Sequence, residues 1–115
     1  MEHSRVYLHI RFLVSLREAP VSERKVMLGN ITTHQLRSIV EIATRILNGV
    51  VSPLRRDAQT FRHRRMFLRT LTSRTVSFTR KKALLKRRFS LVPIMLRTIY
   101  LIPVIVDEIQ TAREQ

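Results

Sequence analysis

The sequence predicts an all-α fold, a small bundle of about five helices with an Arg-rich central pair and an apolar C-terminal segment. Three observations carry that expectation. Leu36, Ile39, Val40, Ala43, Ile46 and Leu47 fall at i, i+3, i+4, i+7, i+10 and i+11, which is one apolar stripe on a helix. Apolar residues keep helical spacing through the charged middle of the chain, as Leu54, Ala58, Phe61, Leu68 and Leu71, then Leu84 and Leu85. Two glycines and four prolines in 115 residues argue against a loop-rich or low-complexity chain. At this length, with 44% hydrophobic residues, the chain is one domain with a small core. Its parts are a helical core (1–50), a basic helical region (51–89) and an apolar, then acidic, C-terminal segment (90–115).

Residues 6–16 are the least decided. Val6, Leu8, Ile10, Phe12, Val14 and Leu16 alternate with a strand period, while Ile10, Leu13, Val14 and Arg17 fit a helical face. Periodicity does not choose between them; without a nearby hairpin partner the reading is a helix that Pro20 ends. A second short helix starts with Ser22 as N-cap and runs towards Asn30. The stripe 36–47 forms the third, capped by Thr32 or Thr33 and closed by Gly49 in the left-handed region, with Glu41 and Arg45 paired at i,i+4. Ser52-Pro53 opens the fourth, where proline's missing N–H costs nothing. On it Arg55, Arg62 and Arg69 recur every seven residues with Arg65 between them, roughly 10 Å apart on a common stripe. Residues 70–79 read as a connection, and Ser77 or Thr79 caps a fifth helix. There Arg80-Lys81-Lys82 and Lys86-Arg87-Arg88 bracket Ala83-Leu84-Leu85. Residues 91–106 hold one charge, Arg97, and two prolines, Pro93 and Pro103, before an acidic helical end.

Charge is concentrated rather than spread. Residues 55–88 hold 13 of the 22 basic side chains against one acid, Asp57, a local charge of +12 within a total of +14. Such self-repulsion disfavours a compact state unless counter-charge arrives, and a polyanion is its natural source. Of the basic residues 18 are Arg, whose planar fork grips phosphate through two parallel hydrogen bonds. Like charges at i,i+3 and i,i+4, such as Arg62, Arg65 and Arg69, weaken an isolated helix by a few tenths of a kcal/mol each. An idle charged face does not explain that concentration. The candidate nucleic-acid contacts are therefore Arg55, Arg56, Arg62, Arg64, Arg65, Arg69, Arg80, Lys81, Lys82, Lys86, Arg87 and Arg88. Phosphate contacts position a protein without reading sequence, so the expected mode is sequence-independent binding of duplex DNA.

Other chemistries find little in the residues. Cysteine is absent, and His3, His9, His34 and His63 are scattered without ligand spacing, so no metal or cofactor is expected. No convergent acid pair and no phosphate-cradling glycine loop suggests an enzyme. Helices at 22–30 and 34–48 imitate a helix-turn-helix, but the second offers only Arg37, Arg45 and Asn48 among apolar neighbours. The two cationic triplets also fit a nuclear import signal, and Arg74-Thr75-Val76-Ser77 has a spacing that many kinases accept. The N-terminus is a poor secretory signal, so the expected setting is intracellular, in a nucleus or a virion. Residues 91–106 are shorter than the ~20 a spanning helix needs. The alternative function is thus an interaction or membrane-associated protein using that segment, with Leu91, Ile94, Met95, Ile99 and Ile102 facing a partner or a second copy.

One family shares this order of features. Leu36-Arg37-Ser38-Ile39-Val40-Glu41-Ile42-Ala43 leads to Ile46-Leu47-Asn48-Gly49, then Ser52-Pro53, and the cluster Arg62-His63-Arg64-Arg65 is followed by Leu68, Arg69 and Leu71. Val76-Ser77 precedes Arg80-Lys81-Lys82-Ala83-Leu84-Leu85, and Leu91-Val92-Pro93 opens the apolar tail. From about Phe12 to Val106 this pattern resembles the short basic proteins of Maverick/Polinton DNA transposons and adintoviruses. Where that family often has a Gly-Gly pair before the tail, this chain has Arg87-Arg88-Phe89-Ser90. The resemblance implies a virion-core-like, DNA-associated role, with packaging of the DNA of a mobile element as the expected function.

Overall fold

The computed structural model of the protein describes residues 5–49 and 55–98, and among them every regular element is helical. The elements are α1 (Arg5–Leu8), α2 (Ile10–Glu18), α3 (Val21–Gly29), α4 (Thr33–Leu47), α5 (Arg55–His63), α6 (Arg65–Thr72), α7 (Phe78–Arg87), a 3-10 turn (Phe89–Leu91) and α8 (Val92–Leu96). The all-α expectation holds, but the helices are shorter and more numerous than about five. Ser52-Pro53, Leu54, Ile99, Ile102 and the acidic end lie outside the described residues.

α4 is the hub. Its start is a capping box: the Thr32 hydroxyl accepts from the Gln35 N–H at 3.1 Å, and the Thr32 N–H donates to Gln35 Oε1 at 3.0 Å. Gly49, at φ 71°, supplies the left-handed residue beyond its end. Arg45 Nη2 donates to Glu41 Oε1 at 3.1 Å, the expected i,i+4 pair. Leu36, Ile39, Ile42, Ala43 and Ile46 are buried, whereas Val40 and Leu47 are only partly so. The stripe is turned slightly from the predicted one because α4 is covered from several sides, by α1, α6, α7 and α8. Such wide coverage rewards Ile42, which a single-stripe count omits. Ser38, also fully buried, satisfies its hydroxyl by donating to the Gln35 carbonyl.

The N-terminal arm resolves to helix. Leu13 and Leu16, three apart, are fully buried along with Val6, while Leu8 of the alternating set is 62% exposed. His9 (φ −114°, ψ 20°) interrupts the arm into α1 and α2 although its carbonyl still accepts from Leu13 N–H at 2.9 Å. Pro20 forces Ala19 into an extended conformation and ends α2, as expected. It then takes the N-cap position of α3 itself, so Ser22 lies inside the first turn and is not the cap. α3 is thinly anchored. Leu28 is its one fully buried side chain, Arg24 Nη2 donates to the Ala19 carbonyl at 3.0 Å, and Lys25 Nζ sits 4.7 Å from the centre of the Phe89 ring.

The predicted fourth helix is broken at Arg64 (φ −109°, ψ 27°), whose N–H is shared between the carbonyls of Thr60 (2.9 Å) and Phe61 (3.2 Å). The local tightening redirects the chain so that Phe61 before it and Phe67, Leu68 and Leu71 after it all reach the core. α6 packs on α4, and α7 on α3, α4 and α6. The connection is shorter than expected, since α6 continues to Thr72; Ser77 caps α7 by accepting from Arg80 N–H at 3.3 Å, and Thr79 does not.

The apolar segment begins as core. Leu91, Val92, Met95 and Leu96 are buried, α8 packs on α2 and α4, and Thr98 donates to the Met95 carbonyl at 2.7 Å. Pro93 does not break α8, because it sits in the first turn where no N–H partner is needed. Leu91 and Met95 therefore face this chain's own interior and not a partner, a correction that follows from how few apolar residues so small a core can spare. Ile94 is partly buried against the same cluster. Among the described residues no helix is long and apolar enough to cross a membrane.

Candidate nucleic-acid interface

Ten of the twelve candidate cations are exposed: Arg55, Arg56, Arg62, Arg64, Arg65, Arg69, Arg80, Lys86, Arg87 and Arg88. Lys81 and Lys82 are half-buried, and burial draws the Lys81 ammonium below its usual pKa of 10.5. Lys86 and Arg87 fall in the last turn of α7 with Arg88 at its C-cap, where the helix dipole favours positive charge.

The cations do not form one stripe. Arg55 and Arg62 stand on α5 and Arg65 and Arg69 on α6, with the break at Arg64 between them. Two grooves gather five of the twelve instead. In the first, of about 230 Å³, His63 and Arg64 from the break face Arg87 and Arg88 from the end of α7, over a floor that includes Phe67 and Leu84. Met66, 71% exposed, is on its rim. The second, also about 230 Å³, carries Arg62 and Arg65 above Ile46, Leu47, Phe61 and Leu68, between α4 and the α5–α6 pair. Each groove sets guanidinium groups around a partly apolar channel, a shape that receives a phosphate chain or phosphates with adjoining sugar. Arg55, Arg56, Arg69, Arg80, Lys81, Lys82 and Lys86 stay outside both linings.

Asp57, the single acid of the stretch, is turned inward. It is 4% exposed, and its Oδ1 accepts from Arg97 Nη1 at 2.9 Å, across 40 residues of sequence. Its Oδ2 is buried without a hydrogen-bond partner. The pair anchors α5 to the end of α8 and removes the only acid of residues 55–88 from the surface. Sequence spacing held no signal for it beyond the oddity of one acid among 13 cations and one cation in an apolar run.

The helix-turn-helix reading is not supported by the packing of α4, whose apolar face is covered by four other helices and whose Arg45 is held by Glu41. Among the described residues no three His, Asp or Glu side chains gather as a metal site would require. No family model matches the chain, and no curated protein or solved structure is significantly similar to it.

Proposed function

We propose that this protein binds nucleic acid, duplex DNA foremost, through phosphate contacts without sequence preference, and that it helps to package the DNA of a mobile element in a virion-core-like role. The observation that carries the reading is the inward turn of Asp57. With that carboxylate committed to Arg97, ten exposed cations of α5, α6 and α7, of the break at Arg64 and of the residue after α7 have no acid of their own stretch beside them. Polyanion binding then relieves a repulsion that the fold leaves standing. The division of guanidinium groups between two grooves suits a backbone contacted at several points better than it suits one small anion. A nuclear or virion setting follows from the role.

The test is a titration of the purified chain against unrelated duplexes at several salt concentrations. If about six to ten phosphates are neutralised, log K falls against log salt with a slope of roughly −5 to −9, and unrelated sequences bind alike. A flat salt response removes the reading.

A further inference from the structure

We infer that the cleft between α2, α3, α5 and α8 is a second phosphate-binding site, built largely from cations outside the basic stretch. Its lining is Arg17, Glu18, Arg24, Arg56, Pro93 and Arg97, around a space of about 600 Å³. Three of the four arginines come from the N-terminal helical core and the apolar tail, and only Arg56 belongs to residues 55–88. Their separation along the chain hides the cluster from any scan for basic runs.

The charge balance selects the ligand. Arg17 is paired with Glu18 at 3.2 Å and Arg97 with Asp57 at 2.9 Å, so among the described residues four guanidinium groups meet two carboxylates, a net +2. A phosphate group at neutral pH carries about −1.5 to −2 when singly esterified, a closer match than one carboxylate. Preorganisation supports the assignment. Arg97 is held by Asp57 while its side chain remains 39% exposed, and Arg24 is tied by Nη2 to the Ala19 carbonyl with its Nε buried and unpartnered. Two guanidinium planes are thus fixed before a ligand arrives, which reduces the ordering cost of binding. Arg56 is exposed beside them and can close on a bound anion. Pro93 contributes a wall with no N–H of its own.

The charge can come from two neighbouring diester phosphates of a nucleic-acid backbone, at one negative charge each, or from the single monoester of a small phosphorylated molecule, and the site does not depend on the nucleic-acid reading above. The experiment follows the side-chain Nε–H signals of Arg24 and Arg56 by NMR on the full chain. Inorganic phosphate is titrated against chloride of equal ionic strength, and a short duplex is titrated separately. Saturable movement of both signals with phosphate but not chloride is expected. Arg56→Gln should weaken that binding about threefold to tenfold without changing the melting temperature. Arg37→Gln, an exposed cation of α4 away from the cleft, should leave it unaltered and so separates local contact from net charge. If the duplex moves the same signals and free phosphate competes with it, the source is a backbone; if free phosphate alone moves them, it is a small molecule. Signals that respond equally to chloride, or an Arg56→Gln chain that binds phosphate as well as the original, overturn the site. A chain that fails to bind DNA yet binds phosphate here refutes the packaging role and leaves the cleft standing.

Discussion

In α4 the start signal, stop signal, ion pair and apolar stripe all lie between Thr32 and Gly49, so the helix is specified by neighbours in sequence. The stretch from α5 to α7 has less local support, chiefly the single cap bond at Ser77. It crowds like charges, breaks at Arg64 without a proline or glycine, and gives its one acid to Arg97 at the far end of α8. The contrast teaches where specification comes from in each region. α4 is amphipathic enough to define a surface, and the basic helices take their positions from that surface through Phe61, Phe67, Leu68, Leu71 and Leu85.

Four comparisons, using six substitutions, break or sharpen this contrast. The largest effect belongs to Ile39→Ala, which empties a fully buried position on the hub and should cost about 2–5 kcal/mol in urea unfolding. Met66→Ala, on the exposed rim of the basic stretch, should stay within about 0.5 kcal/mol. Equal losses from the two would abolish the distinction between hub and surface. Next comes Asp57→Asn, which leaves Arg97 without its carboxylate and should cost about 1–3 kcal/mol; a neutral result would mean that α5 is held by apolar contacts alone.

The caps come third. Thr32→Ala removes half of a reciprocal capping box and should cost about 1 kcal/mol, while Ser77→Ala, losing a single longer bond, should cost less. A reversed order would place the better local specification in the basic region. The smallest effect is that of Lys81→Gln, read as stability against pH. Burial lowers the folded-state pKa of Lys81, so its penalty is fully present below that value, and stability rises as pH climbs from there towards 10.5. The substitution should flatten that alkaline rise, and an unchanged profile would show that the ammonium is not desolvated.

What could be read from the sequence follows the same division. The α4 cap, its Gly49 terminus and the Glu41–Arg45 pair rest on spacings of three to five residues, and all were legible. The end of α2 was legible too, because proline restricts the residue before it. Ser22 misled because Pro20 occupies the cap position first. The break at Arg64 carries no residue-type signature, and only the competing demands of Phe61 and Phe67 on one core explain it. The inward commitment of Leu91 and Met95, the Asp57–Arg97 pair and the cleft that gathers Arg17, Arg24, Arg56 and Arg97 all depend on which distant helices touch. One-dimensional periodicity does not encode that.

The thin anchorage of α3 bears on timescale. With Leu28 as its one fully buried side chain, α3 is held by less apolar burial than α4 and should open in a local event of lower free energy than global unfolding. Amide hydrogens of Val26 and Met27 would then exchange sooner than those of Ile42 and Ala43. Since Arg24 rides on this helix, an anion seated against it should slow exchange across α3 and leave α4 unchanged. A thinly anchored helix would thereby act as the reporter of occupancy.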